Sequence, residues 1–108
     1  MDWMNEGVGE IIPEMAWVTA HAIVTLENGT EVSSTRDHGA HLTYRIKDSA
    51  EVIKGIIDAT RLMRKESRAR VTVPSALAYK DRRHGSIPRN SVLIVDLEII
   101  DWQPNVVY

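Results

Sequence analysis

Residues 71–100 read VTVPSALAYKDRRHGSIPRNSVLIVDLEII, and the changes of pattern along this stretch decide the fold. At its end, Ser91 to Ile100, Leu93, Val95, Leu97 and Ile99 fall on one side while Asp96 and Glu98 fall on the other. Successive side chains alternate across a strand, so this is a long strand with one buried and one wet face, as in an antiparallel sheet. Arg68 to Val73 alternates in the same way, with Ala69, Val71 and Val73 predicted to point inward. Pro74-Ser75 breaks that strand, since proline cannot donate to the ladder. Ser75 to Tyr79 has room for one helical turn. Lys80 to Asn90 reads as a charged loop punctuated by Gly85 and Pro88.

Upstream of this stretch the period changes. Asp48, with Glu51 three residues on, fits a capping box. Val52, Ile56, Thr60 and Met63 then share a helical face with Ile53 and Ile57 beside them, while Lys54, Asp58, Arg61 and Lys65 fall largely opposite. This predicts one amphipathic helix of roughly three turns. Leu42 to Ile46 alternates as a strand. The run WVTAHAIVTL, Trp17 to Leu26, is rich in β-branched residues and reads as another. Asn28-Gly29 signals a hairpin, because both residues tolerate positive φ, and a short return strand fits Glu31 to Ser34. Thr35 to His41 is polar and reads as a loop. Several antiparallel strands and one striped helix give an α+β fold, a curved antiparallel sheet wrapped around one amphipathic helix.

The chain has 108 residues, enough for a single domain with its own core, and 1–108 is read as one domain with its core at about 6–102. No apolar run is long enough for a membrane span and no signal segment opens the chain. Cysteine is absent, which excludes disulfide and thiolate chemistry and fits a cytoplasmic or nuclear setting. The net charge of −2 hides an asymmetry: residues 54–89 carry ten bases against three acids, while residues 1–53 carry three bases against nine acids. Mutual neutralisation in the folded chain is the simpler expectation, and a basic face for an acidic partner is the sharper one. Phenylalanine is also absent.

With these elements in order, the chain resembles the FKBP family. The resemblance is carried by His21 through Asn28-Gly29, by Ser33-Ser34-Thr35-Arg36-Asp37, by Glu51-Val52-Ile53-Lys54-Gly55 with Met63 beyond it, and by Val71 to Ile100. Asn5-Glu6-Gly7-Val8-Gly9 resembles the family's usual start. One extra residue near Ala50 and one missing near the proline loop are departures. The resemblance implies an FKBP-like half β-barrel and cis/trans isomerisation of X-Pro bonds, with no cofactor and no metal.

Rotation about an X-Pro amide needs no nucleophile; it needs an apolar cleft that grips the ring, excludes water and favours the twisted amide over the planar one. In the family aromatic side chains build that cleft. Here the resemblance places Ala22, Val32, Leu42, Ile56 and Val95 where the family has rings, and Ser33 where it has an aspartate. Val52, Ile53, Tyr79, His84 and Ile87 match, with the Ile53 backbone N–H and the Tyr79 hydroxyl as candidate donors to a bound chain. At ~0.5 kcal/mol of stacking each, five lost rings forfeit ~2.5 kcal/mol, close to a hundredfold. The expected function is a protein-binding module with little or no prolyl isomerase activity and no tight macrolide binding. A weak prolyl isomerase is the alternative.

The expected partner is a protein or proline-containing peptide, acidic if the rim of the cleft has a say. That rim is Lys80, Arg82, Arg83, His84 and Arg89, with Lys80 standing where the family has a glycine. Nucleic-acid binding by the same loop would want the interleaved aromatics of a single-strand platform, which are missing. His38 and His41 lack an evident third ligand and read as solvated. His21 reads as a hydrogen-bonded structural histidine. Ser33-Ser34-Thr35 near Asp37 and His38 carries no nucleophile-elbow motif. Trp3 and Trp102 flank the domain, placed to cover a sheet edge or to mark a docking face.

Overall fold

The computed structural model describes residues 1–35, 39–47 and 52–105. The Asp48–Glu51 capping box, Arg36, Asp37 and His38 lie outside the described residues. The spine of the sheet is β2 (Trp17–Leu26), antiparallel to β6 (Leu93–Gln103) from Trp17↔Gln103 to Leu26↔Leu93, with one irregularity between Thr19 and Ala20. On its far side β6 pairs with β5 (Arg68–Val73), and β5 pairs with β1 (Asp2–Asn5). The other edge of β2 is shared. It takes β4 (Leu42–Arg45) along Trp17–Ala20 and β3 (Glu31–Ser34) along Ile23–Thr25. Thr35 bridges the gap between them. Its hydroxyl accepts the Ala22 N–H at 3.0 Å and lies 3.0 Å from His21 Nδ1, so His21 is the hydrogen-bonded histidine that its strand position suggested.

The alternation read from the sequence is the alternation of burial. Val18, Ala20, Ala22, Ala69, Val71, Val73, Leu93, Val95, Leu97 and Ile99 all point inward. Each large aliphatic side chain contributes about 1.5–3 kcal/mol on burial, so this phenylalanine-free core is assembled from many medium-sized terms. At the hairpin only Gly29 takes positive φ, at 89°. Leu26 O accepts from Gly29 N and Leu26 N donates to Thr30 O, which is a three-residue loop and not the two-residue turn in which Asn28 would also turn left-handed.

Helix α1 (Lys54–Thr60) is shorter than the periodicity predicted, at seven residues. Ile53, its N-cap, is extended with ψ 150°, so Val52 and Ile53 leave the helix and serve as wall residues. At the far end Leu62 N and Met63 N reach back only three residues, to Ala59 O and Thr60 O. Met63 is therefore fully buried, as its spacing implied, but beyond the helix. The helix meets the sheet through Gly55. A Cβ built there would stand 2.4 Å from Val73 Cγ1, so only glycine permits this approach.

Strand β1 left no sign in the burial pattern, because its four residues are all exposed. Backbone pairing holds it, together with the arm that follows. Val8 N donates to Lys65 O at 2.8 Å and Ile12 N to Met63 O at 3.0 Å. Ser67 Oγ donates to Glu6 O at 2.7 Å and accepts from Arg64 N at 2.8 Å. Gly7, at φ 82°, presses so closely here that a Cβ would meet Lys65 O at 2.5 Å. Trp3 lies in this edge strand and stays partly exposed, whereas Trp102, carried into the sheet by the long β6, packs on the core.

Candidate functional site

On the concave side, where the start of α1 faces β2, β3 and the loop after β5, a cleft of about 470 Å³ is open to solvent. Its aliphatic lining is Ala22, Val24, Val32, Leu42, Val52, Ile53, Ile56, Ile87 and Leu93, and its rings are Tyr79 and His84. Ser33, Thr35, Gly85 and Ser86 supply the polar part. Among the described residues no carboxylate lines it and no cluster of metal-ligating side chains occurs.

Each wall has a local cause. Strand alternation turns Ala22 and Val24 to the same side of β2. The extended N-cap brings Val52 and Ile53 to the lip, and the first turn of α1 sets Ile56 at the floor, 5% exposed. A 3-10 turn at Ser75–Leu77 delivers Tyr79. The charged loop then folds back on itself: His84 N donates to Ile87 O at 3.0 Å and Ile87 N to His84 O at 2.8 Å, across Gly85-Ser86. That tight reversal buries Ile87 in the wall and lays the His84 ring on Tyr79, centroids 4.0 Å apart and planes within 4°. At the neck of the loop Asn90 N donates to Lys80 O at 2.7 Å, and both residues are left-handed, at φ 56° and 57°. Lys80 thus keeps the conformation a glycine would adopt, at a cost of about 1–2 kcal/mol.

Of the cleft residues named from sequence, Ala22, Val32, Ser33, Leu42, Val52, Ile53, Ile56, Tyr79 and Ile87 come together as lining. Val95 does not. It is fully buried, flanked in register by Val24 on β2 and Val71 on β5, and a valine is too short to rise from that position into the cleft. Val24, Thr35, Gly85, Ser86 and Leu93 were missed. Period two from Ala22 was the available signal for Val24; Thr35 had none, because its place depends on the split edge of β2. Of the rim, His84 joins the lining, while Lys80, Arg82, Arg83 and Arg89 stand exposed outside it.

Beside the cleft, fully buried Tyr44 bonds Thr60 Oγ1 at 2.8 Å, and Thr60 Oγ1 donates onward to Ile56 O at 2.7 Å. Since the Thr60 proton is used there, Tyr44 is the donor. Burial pushes the Tyr44 phenol up to about 12. This link ties β4 to the floor of the cleft.

Residues 9–100 match the family described as FKBP-type peptidyl-prolyl cis-trans isomerase. The FKBP-type peptidyl-prolyl cis-trans isomerase FkpA of Buchnera aphidicola (subsp. Schizaphis graminum) is 35% identical over 101 residues, 94% of this chain and 38% of that protein. FK506-binding protein 1 of Dictyostelium discoideum is 31% identical over 101 residues, 93% of this chain and 94% of that protein. The crystal structure of FkpA from Escherichia coli superposes with a TM-score of 0.86 at 27% identity, covering 96% of this chain and 47% of that one. The chain therefore spans less than half of the FkpA relatives and nearly all of the shorter Dictyostelium protein.

Proposed function

The chain belongs to the FKBP-type peptidyl-prolyl cis-trans isomerase family, and we propose that this domain acts mainly as a binding module for proline-containing segments of a protein partner. Catalysis of X-Pro rotation is weak or absent in this reading, and macrolides are not bound tightly. One observation carries it: the cleft is open at about 470 Å³, yet among the described residues only Tyr79 and His84 supply rings to it. An open apolar cleft takes up a pyrrolidine ring and an aliphatic neighbour by burying their surface. Acceleration asks for more. The twisted amide must be bound better than the planar one, and rigid aromatic walls that enclose the ring are a means to that discrimination. Aliphatic walls bind ground state and transition state more equally, which gives affinity with little rate.

What remains for chemistry is modest. Bound between Tyr79 and the Val52-Ile53 lip, an X-Pro segment would lose water from its amide, and the Tyr79 hydroxyl and the Ile53 N–H would hold flanking carbonyls. Desolvation lowers the rotation barrier, because the planar amide is the more polar form.

NMR exchange spectroscopy on a labelled X-Pro tetrapeptide tests the proposal, with Tyr79→Phe as control. The expected result is saturable chemical-shift perturbation at cleft residues with exchange close to the uncatalysed rate. Fast exchange that falls in Tyr79→Phe would establish a working isomerase instead.

A further inference from the structure

We infer that the segments this cleft takes carry carboxylate side chains flanking the proline, and that the loop from Lys80 to Arg89 reads them. The inference rests on the cleft reading above and names its substrate class. Of the six bases in residues 54–70, four are paired: Lys54 with Asp58, Arg61 with Glu14, Lys65 with Asp101 and Arg68 with Asp96. Three of these pairs draw on acids outside residues 54–89 and absorb part of the charge asymmetry of the sequence. The loop is different. Lys80, Arg82, Arg83 and Arg89 are exposed, and among the described residues none of them is in an ion pair. Asp81 is the single acid between Tyr79 and Asn90.

These bases are also held in place. Lys80 N donates to Ser75 O at 2.8 Å, Arg82 N to Tyr79 O at 3.1 Å and Asn90 N to Lys80 O at 2.7 Å, while Ser91 Oγ closes on Pro88 O at 2.8 Å. The His84 stack and buried Ile87 fasten the middle of the loop to the cleft wall. A fixed backbone keeps the positive charge at the mouth without ordering a flexible loop on binding. Among the described residues no carboxylate lines the cleft, so these residues offer an acidic ligand no repulsion inside it.

A peptide suits both parts better than a nucleic acid does. The cleft is aliphatic and sized for an apolar side chain, and the Tyr79 ring, which a base would need for stacking, already has His84 against it. An exposed ion pair multiplies affinity by about 1.5 to 5, so two or three together give roughly tenfold, screened away at high salt.

Fluorescence anisotropy with labelled peptides tests this. One peptide has a Leu-Pro core flanked by glutamates, a second has glutamines there, and a third replaces the proline of the first by alanine. The glutamate peptide should bind about tenfold tighter than the glutamine peptide in dilute buffer, with the gap closing near 1 M salt. The same gap should close in Lys80→Gly/Arg82→Gln/Arg89→Gln, which spares the Arg83 bond to Gly85 O and gives the left-handed position 80 a glycine. That variant should melt no lower than the parent and bind the glutamine peptide unchanged. Equal affinity for the two proline peptides overturns this inference alone. Failure to bind either of them overturns the cleft reading with it. Undiminished binding of the alanine peptide, or tighter binding of a single-stranded oligonucleotide, shows the loop acting without the cleft and also overturns it.

Discussion

The imidazole of His84 lies flat on the phenol of Tyr79, 4.0 Å between centroids and 4° between planes, and the pair forms one wall of the cleft. Tyr79 arrives on a 3-10 turn and His84 on a tight reversal of the following loop, so neither ring is placed by a strand or by the helix. Each therefore braces the other. A stacked pair is worth about 0.5–1.5 kcal/mol. His84→Ala should weaken X-Pro peptide binding roughly 2- to 10-fold, and His84→Phe should restore it. Anisotropy titration distinguishes the two; parent-like affinity in His84→Ala would show that Tyr79 needs no brace.

Gly55 sets how closely α1 lies on β5. An added Cβ would stand 2.4 Å from Val73 Cγ1 and 2.9 Å from Cγ2, and a β-branched side chain that is 1% exposed has no flexible end to swing away. Gly55→Ala gains about 1 kcal/mol of helix propensity but forces the helix off the sheet, so a net loss of about 1–3 kcal/mol is expected. Urea unfolding should show a lower midpoint at unchanged slope. Combining it with Val73→Ala should cost less than the sum of the two single changes, because the residues touch. A Gly55→Ala protein as stable as the parent would mean that the approach is not tight.

The sequence carried the strands well because their alternation is the alternation of burial. Trp17–Leu26, Glu31–Ser34 and Arg68–Val73 end where their turn residues and proline say they should. Elements held by backbone pairing or by tertiary context left weaker traces. β1 shows no burial pattern, since all four of its residues are exposed. The helix looked longer than it is because Val52 and Met63 are apolar for reasons of their own, one as cleft wall and the other as core. The cleft was legible through the family resemblance at nine of its residues. Val95 was misplaced because register on both sides, and not facing direction alone, decides whether an inward side chain reaches an opening.

Tyr44 makes stability depend on alkaline pH. Its phenol lies at about 12 in the folded chain against an ordinary 10.0, chiefly because burial disfavours the phenolate. Between these values the unfolded chain has released a proton that the folded chain retains. Stability is therefore complete below pH 10 and falls by about 1.4 kcal/mol per pH unit as pH rises toward 12. Tyr44→Phe should lose about 1 kcal/mol at neutral pH, through the missing bond to Thr60, and should show a shallower decline above pH 10. Thermal melts of both proteins from pH 8 to pH 12 check this; parallel curves would mean that Tyr44 titrates normally.

If aliphatic walls are what hold catalysis down, rings returned at the right places should raise it, and the structure separates right places from wrong ones. Val32 and Leu42 are half-buried on the lining and face open cleft, so Val32→Phe/Leu42→Phe can add two rings without displacing the core. At about 0.5–1.5 kcal/mol each, kcat/KM for an X-Pro peptide should rise roughly tenfold or more. Val95 is sealed beneath the cleft, so Val95→Phe should destabilise the fold by about 1–3 kcal/mol with no gain in rate. Ile56, 5% exposed at the floor, falls between, and Ile56→Trp should trade stability for any activity it recovers. NMR exchange rates measured beside urea midpoints separate the two effects. A folded Val32→Phe/Leu42→Phe protein that exchanges no faster than the parent would show that the walls are not the limiting feature, and attention would move to Ser33, where the resemblance leads one to expect an aspartate.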